Sequence, residues 1–229
     1  AAAITVKVEI TDNGDGTLNV AKTTDSPEIA FTNTYSAEGA IILAGTKSLS
    51  GRALKDGEFS FVLTDESGIE LQTATNDANG AFAFEEIKYD LDDAGKTFIY
   101  KVKELAGNVA GVTYDATVIT VKIEVEDVGG KLSATLTDDS EAIAFTNSYA
   151  AQGEITFAGI KRIEGRAMTA DDLFTFEVKE GNDVLALAMN DATGKIAYPT
   201  LQYTLKEVGT HTYQVREVNT SGDGMTVDA

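Results

Sequence analysis

Apolar and polar residues alternate strictly along many short stretches of this chain. Ile41, Leu43, Gly45 and Lys47 share one parity, as do Phe59, Phe61 and Leu63; Phe82 and Phe84; Phe98, Tyr100, Val102 and Glu104; Ile119, Val121, Ile123 and Val125; and Ile143, Phe145, Asn147 and Tyr149. A period of two belongs to a half-buried strand, so each set predicts the core-facing side of one β-strand. Between the sets lie turn clusters such as Asp12-Asn-Gly-Asp-Gly16, Asp77-Ala-Asn-Gly80 and Asp127-Val-Gly-Gly130, which supply the positive-φ positions that hairpins use. No sustained helical period is present. Helix is expected only locally, around Ala53 to Gly57 or Asp90 to Gly95. Short strands at this spacing predict an all-β fold of immunoglobulin-like sandwiches.

The pattern also repeats. Phe31-Thr-Asn-Thr-Tyr35 returns as Phe145-Thr-Asn-Ser-Tyr149, and Ala44-Gly-Thr-Lys47 as Ala158-Gly-Ile-Lys161, both 114 residues apart. Tyr100-Lys-Val-Lys-Glu104 matches Tyr213-Gln-Val-Arg-Glu217, and Asn76-Asp-Ala-Asn-Gly80 matches Asn190-Asp-Ala-Thr-Gly194. The unit is therefore about 114 residues, which divides the 229-residue chain into three parts. Residues 37–150 form a complete sandwich, residues 1–36 match the C-terminal strands of a unit, and residues 151–229 match its first two thirds. With only a few residues at the junction, Tyr149 to Gly153, the units are expected end to end as a rod. The phase of the cut leaves two readings open. Either the Ile4 to Ile10 and Ile29 to Tyr35 strands of one chain complete the 151–229 part of the next, head to tail, or the chain is a window on a longer continuous polymer.

One anomaly in the alternation carries chemistry. Lys47 has the parity of Ile41 and Leu43, Glu104 that of Tyr100 and Val102, and Asn147 that of Ile143 and Phe145, so all three point toward the core. The anomaly recurs in Lys161, Glu217 and Asn33. Charges are costly to bury unless they are paired or neutralised. A satisfied buried ion pair, with the Asn capping backbone groups, is one way to meet that cost.

A Lys ending the first strand, a Tyr-x-Val-x-Glu strand, a following Tyr-Asp and a last Phe-Thr-Asn-x-Tyr strand together resemble the isopeptide-linkage (CnaB-like, major-pilin-type) domains of Gram-positive surface proteins. The resemblance spans essentially the whole chain. It implies an amide between Lys47 and Asn147 with Glu104 as its catalyst, and for the divided unit a set of Lys161, Glu217 and Asn33. If Lys161 and Glu217 meet an incoming Asn33, the same amide joins chains. Burial lowers the pKa of a Lys and raises that of a Glu, so a proton can pass between them. The neutral amine then attacks the Asn Cγ while the carboxylic acid polarises its carbonyl, and ammonia leaves. A bond tying first strand to last lets tension bypass the hydrogen-bonded sheets.

Composition narrows the function further. Against 37 acidic residues stand 18 basic ones, a formal charge of −19 that repels nucleic acid and anionic membrane. No Cys is present, which removes disulfides and thiolate chemistry; one His and no Trp leave little for ordinary catalysis. No run is apolar enough for a membrane span or signal peptide, so any signal or anchor is expected elsewhere in a parent protein. Asp12 to Thr17 looks faintly like a calcium loop, but a plain hairpin turn is the expectation, and His211 is expected to be a strand residue without chemistry. The reading is thus a non-enzymatic stalk or pilus-shaft segment on the bacterial exterior. It has no cofactor and no metal, and its partners are copies of itself or neighbouring repeats. An adhesive module binding a host protein or glycan through its loops is the alternative.

Overall fold

The computed structural model describes residues 3–218 and 224–226. Residues 1–36 contribute one antiparallel hairpin, β1 (Val8–Asp12) and β2 (Leu18–Lys22). Residues 37–150 carry β3 (Glu38–Ile41), β4 (Ala44–Ser50), β5 (Ser60–Asp65), β6 (Glu70–Thr75), β7 (Ala81–Ala83), β8 (Ile87–Asp90), β9 (Thr97–Glu104), β10 (Val112–Thr113), β11 (Val118–Asp127), β12 (Leu132–Leu136) and β13 (Ala144–Tyr149). Residues 151–229 carry β14 (Gln152–Ile155), β15 (Ala158–Ile160), β16 (Thr175–Glu180), β17 (Asp183–Met189), β18 (Lys195–Ala197), β19 (Leu201–Thr204) and β20 (Tyr213–Glu217). The fold is all β.

Two single 3-10 turns, Leu91–Asp93 and Leu205–Glu207, supply the helix among the described residues. The first falls in the stretch where local helix was expected, and Asp90 caps it by accepting from the Asp92 N–H. Ala53 to Gly57 is not helical. Its backbone is engaged from outside instead, with the Lys55 N–H donating to Glu58 and the Lys55 carbonyl accepting from the Asn76 amide.

By packing, the chain divides into two compact units. One comprises Ala1–Ile41, Ile87–Thr97 and Ile123–Thr135. Within it lie the β1–β2 hairpin, the antiparallel β3–β8 pair, and β12 against the far half of β11. In the β1–β2 turn Asp12 accepts from the Gly14 N–H and Asp15 from the Thr17 N–H, while Gly14 and Gly16 take φ of +74° and +87°. These carboxylates are spent on backbone donors, the arrangement of a plain hairpin.

The other unit comprises Ile42–Glu86, Phe98–Lys122 and Leu136–Ala229. Here β10, β13, β4 and β7 lie side by side in that order, and β9, β5 and β6 belong to a second sheet. β13 runs parallel to β4, with Phe145 beside Lys47 and Asn147 beside Leu49. The two layers meet through Phe61 of β5, which stacks on Phe82 at 3.7 Å between centroids and lies 5.3 Å from Phe145. Alternation holds along β4, β9 and β13 but not along β5, where Val62 and Thr64 are buried as well as Phe61 and Leu63. The register sets Lys103 beside Val62 and Lys101 beside Thr64, and long aliphatic stems shield such positions while their ammonium groups stay wet.

Residues 151–217 repeat the same pairings. β14 pairs with β19 as β3 does with β8, β15 with β18 as β4 with β7, and β16 lies between β17 and β20 with Phe176 opposite Glu217, as Phe61 is opposite Glu104. The expected strand at Ile29 to Tyr35 does not form: these residues pair with no strand, and Ile29, Phe31 and Tyr35 are exposed. A strand is stabilised by its ladder and by cross-strand neighbours, which the matching β13 finds in β4 and β10 and this stretch does not find.

Candidate functional site

Lys47 stands on β4, Asn147 on β13 beside it, and Glu104 on β9 in the facing sheet, so the two layers close over one polar cluster. Lys47 and Glu104 side chains are wholly buried, and Asn147 is 0% exposed. Lys47 Nζ donates to Glu104 Oε2 at 2.8 Å, and Asn147 Nδ2 donates to Glu104 Oε1 at 2.7 Å. One carboxylate thus holds both nitrogens. The third vertex is backbone: the Asp115 N–H donates to Asn147 Oδ1 at 2.7 Å, and the Asp115 carboxylate accepts from the Thr146 N–H at 2.9 Å. Lys47 Nζ also sits 4.8 Å from the centre of the Phe59 ring.

Electrostatics follow from this setting. Burial pushes the Lys47 ammonium below its ordinary value, and the hydrogen bond and charge of Glu104 oppose that shift only in part. The Asp115 carboxyl is held below the usual range, first by Thr117 and then by the Thr146 N–H. The Asn147 carbonyl was expected to face the Glu104 acid. It faces the Asp115 N–H instead, because a carboxylate can only accept and so turns the amide nitrogen toward itself. Nothing in the parity pattern pointed to Asp115, although it is the Asp of the Tyr-Asp pair that follows the Glu strand.

Two further residues shape the site. Gly80 has φ +91°, and a Cβ there would lie 2.0 Å from the Lys47 carbonyl oxygen, while the Lys47 N–H donates to the Gly80 carbonyl at 2.6 Å. Only glycine lets the turn come this close to the strand that carries Lys47. Asn76 is buried and fully satisfied: its Oδ1 accepts from the Phe59 N–H at 2.8 Å and its Nδ2 donates to the Lys55 and Asp77 carbonyls. Asn190 does the same for Phe174, Asp172 and Asp191. In the sequence these Asn residues marked only the repeat. Asn76→Ala orphans one buried N–H and two carbonyls, so it is expected to lower stability by about 1–3 kcal/mol, read as a lower urea midpoint at unchanged slope.

In the second copy, Lys161 Nζ donates to Glu217 Oε2 at 2.6 Å, with Lys161 4.4 Å from the Phe174 ring centre. Glu217 Oε1 is buried with no hydrogen-bond partner. Asn33 lies in the other compact unit, exposed, and is not a partner of this pair. Among the described residues no group of three or more His, Asp or Glu is arranged to hold a metal ion, and no helix is long and apolar enough to cross a membrane.

His211 does not lie in a strand, contrary to expectation; it precedes β20. Its Nδ1 is 2.7 Å from Glu180 Oε1 and its Nε2 is 2.7 Å from the Glu207 carbonyl. Both partners are acceptors, so only the imidazolium satisfies both, and the Glu207 carbonyl and then Glu180 raise its pKa above 6.5. The stabilisation this provides is fully present below the unfolded value and is lost as pH rises through the folded one. Proton NMR of the only His in the chain should give a midpoint above 6.5 that falls in Glu180→Gln.

The fold and this cluster define a class: a β-sandwich domain with a buried Lys, Glu and Asn brought together from two facing sheets. The chain matches the family model of the Spy0128-like isopeptide containing domain (FctA) over residues 1–36, 43–150 and 157–229, and it belongs to that family. The domain of this family is structural rather than catalytic. No curated protein sequence matches it significantly. Similar solved structures include two from Streptococcus pyogenes: the major pilin protein T-13, at 15% identity over 85% of this chain and 86% of that one with a TM-score of 0.33, and the major pilin protein T3.2, at 16% identity over 81% and 86% with a TM-score of 0.34.

Proposed function

We propose that this chain is a segment of a pilus shaft or stalk on the surface of a Gram-positive bacterium, built from tandem sandwich units and stiffened by self-catalysed amides between Lys and Asn side chains. Residues 37–150 form its complete unit, residues 1–36 and 151–229 belong to units on either side, and its partners are copies of itself or neighbouring repeats met end to end. The observation that carries the reading is Glu104, which accepts from Lys47 Nζ with one carboxylate oxygen and from Asn147 Nδ2 with the other.

That geometry suits a proton relay. Glu104 takes a proton from the Lys47 ammonium, whose affinity for it burial has already weakened. The neutral amine adds to Asn147 Cγ, and the Asp115 N–H stabilises charge on Oδ1 as the carbonyl opens. Glu104 then gives its proton to Nδ2 through Oε1 and takes the second one from the attacking nitrogen through Oε2. The Cγ–Nδ2 bond breaks and ammonia leaves, carrying off the remaining proton as ammonium and restoring the carboxylate. Atoms and charge balance, and no outside reagent is needed.

The bond closes a 100-residue loop between Lys47 and Asn147, worth up to ~4.7 kcal/mol by the chain-entropy argument. Intact mass of the denatured protein tests the reading: a deficit of one ammonia from the sequence mass supports it, and the full sequence mass overturns it.

A further inference from the structure

β10 and β13 form a short antiparallel ladder, with Val112 opposite Tyr149 and Thr113 opposite Ser148, and just beyond it the Ala150 N–H donates to the Gly111 carbonyl at 2.9 Å. Directly bonded pairs recur at every second residue of such a ladder, so after 111 with 150 and 113 with 148 the next is Asp115 with Thr146. There the ladder stops. Had it continued, the Asp115 N–H would be spent on the Thr146 carbonyl and the Thr146 N–H on the Asp115 carbonyl. Instead the Thr146 N–H donates to Asp115 Oδ2 at 2.9 Å, and the Asp115 N–H, released from the ladder, donates to Asn147 Oδ1 at 2.7 Å.

The carboxylate is held at both oxygens. Its Oδ1 accepts from the Thr117 N–H at 3.0 Å, the local turn of an Asp that bonds its own backbone two residues on. Thr146 is held as well, since its hydroxyl lies 2.8 Å from that of Ser48, the neighbour of Lys47 on β4. The donor aimed at the Asn147 amide is therefore positioned from the strand that carries the amine, through Ser48, Thr146 and the Asp115 carboxylate. The charge of that carboxylate is not what the reaction uses, because it favours the Lys47 ammonium over the neutral amine that must attack. Its geometry is.

We propose that Asp115 is a positioning residue for amide formation: its side chain takes the Thr146 N–H out of the ladder and so frees its own backbone N–H to hold the Asn147 carbonyl oxygen while Lys47 Nζ adds to Cγ. The inference rests on the amide chemistry proposed above. The bond from Lys47 Nζ to Asn147 Cγ forms, the Cγ–Nδ2 bond breaks, ammonia leaves, and Glu104 moves the protons. The Asp115 N–H keeps its own proton and only stabilises the charge that gathers on Oδ1. Because Asp115 Oδ2 finds its partner on β13, the donor comes into aim only when the last strand is seated beside β4. Reaction thus follows docking.

The test follows ammonia loss by intact mass in the full chain, freshly made by cell-free translation and denatured at intervals, for the parent, Asp115→Ala and Asp115→Asn. Removing one donor from an oxyanion site slows acyl chemistry by about 10²–10³-fold, and Asp115→Ala is expected to slow ammonia loss by about 10²-fold. Asp115→Asn keeps an oxygen for the Thr146 N–H and should react at the parent's rate or faster. Amide hydrogen exchange of the reacted chains is the second readout: in Asp115→Ala it should rise at residue 115 and stay unchanged at Val102 and Val121 in the core. Asp115→Ala reacting as fast as the parent overturns the inference. So does Asp115→Asn as slow as Asp115→Ala, which places the effect in charge, and so does exchange raised at Val102 and Val121 too, which makes Asp115 a general brace of the fold. In each of these the parent still loses one ammonia and the Lys47 to Asn147 bond stands; a parent that keeps its full sequence mass overturns the amide reading and this inference together.

Discussion

Glu104→Ala should yield a chain of full mass for its sequence, with Lys47 and Asn147 unjoined, and should lower stability more than any other single change at the cluster. Two losses combine. Removing the carboxylate strands a buried ammonium and an amide donor, a change that costs about 3–5 kcal/mol when one partner of a buried pair is deleted. The missing cross-link withdraws up to ~4.7 kcal/mol more. Glu104→Gln separates the two, since it keeps the volume and an acceptor but cannot carry a proton between the nitrogens. Mass spectrometry of both variants with urea denaturation checks this, and ammonia loss in Glu104→Gln equal to the parent's would remove the relay from the mechanism.

Gly80→Ala should be nearly as damaging, although Gly80 touches none of the reacting atoms. Its φ of +91° is strained for any residue with a Cβ, at about 1–3 kcal/mol, and the new carbon would lie 2.0 Å from the Lys47 carbonyl oxygen. Because that obstacle is backbone, either the turn or β4 must move. Since the Lys47 N–H also donates to Gly80, movement displaces the nucleophile. Expected are a lower urea midpoint and slower amide formation after refolding, followed as the time course of ammonia loss. Ala in place of Gly57, which has φ +66° but open space around it, should carry the strain cost alone and leave the time course unchanged.

The cluster was legible because strand parity is a local rule. Lys47, Glu104 and Asn147 each stood out within their own strand, with no knowledge of the partner, and the repeat doubled the signal. Asp115 was not legible as a donor, since every residue but proline offers a backbone N–H and its aim is set by tertiary structure. The buried brace at Asn76 was hidden for a similar reason: its sequence neighbourhood reads as a turn, while its partners are the Phe59 N–H and the Lys55 carbonyl. Alternation misled at Ile29 to Tyr35, because period two records what a segment can bury and not whether a neighbouring strand is there to receive it. His211 was expected in a strand, yet Glu180 and the Glu207 carbonyl hold it outside β20.

Between β9 and β10 runs an exposed connection, Leu105 to Gly111, with Leu105 and Val109 each 40% exposed. In an ordinary domain a peptidase cut there would release two pieces once the fold loosened. Here Lys47 lies before the cut and Asn147 after it, so with the proposed amide formed the nicked chain would be a branched molecule whose halves stay attached through side chains. Such damage would be silent on a denaturing gel, and a surface exposed to peptidases could gather breaks in this loop without shedding its outer length.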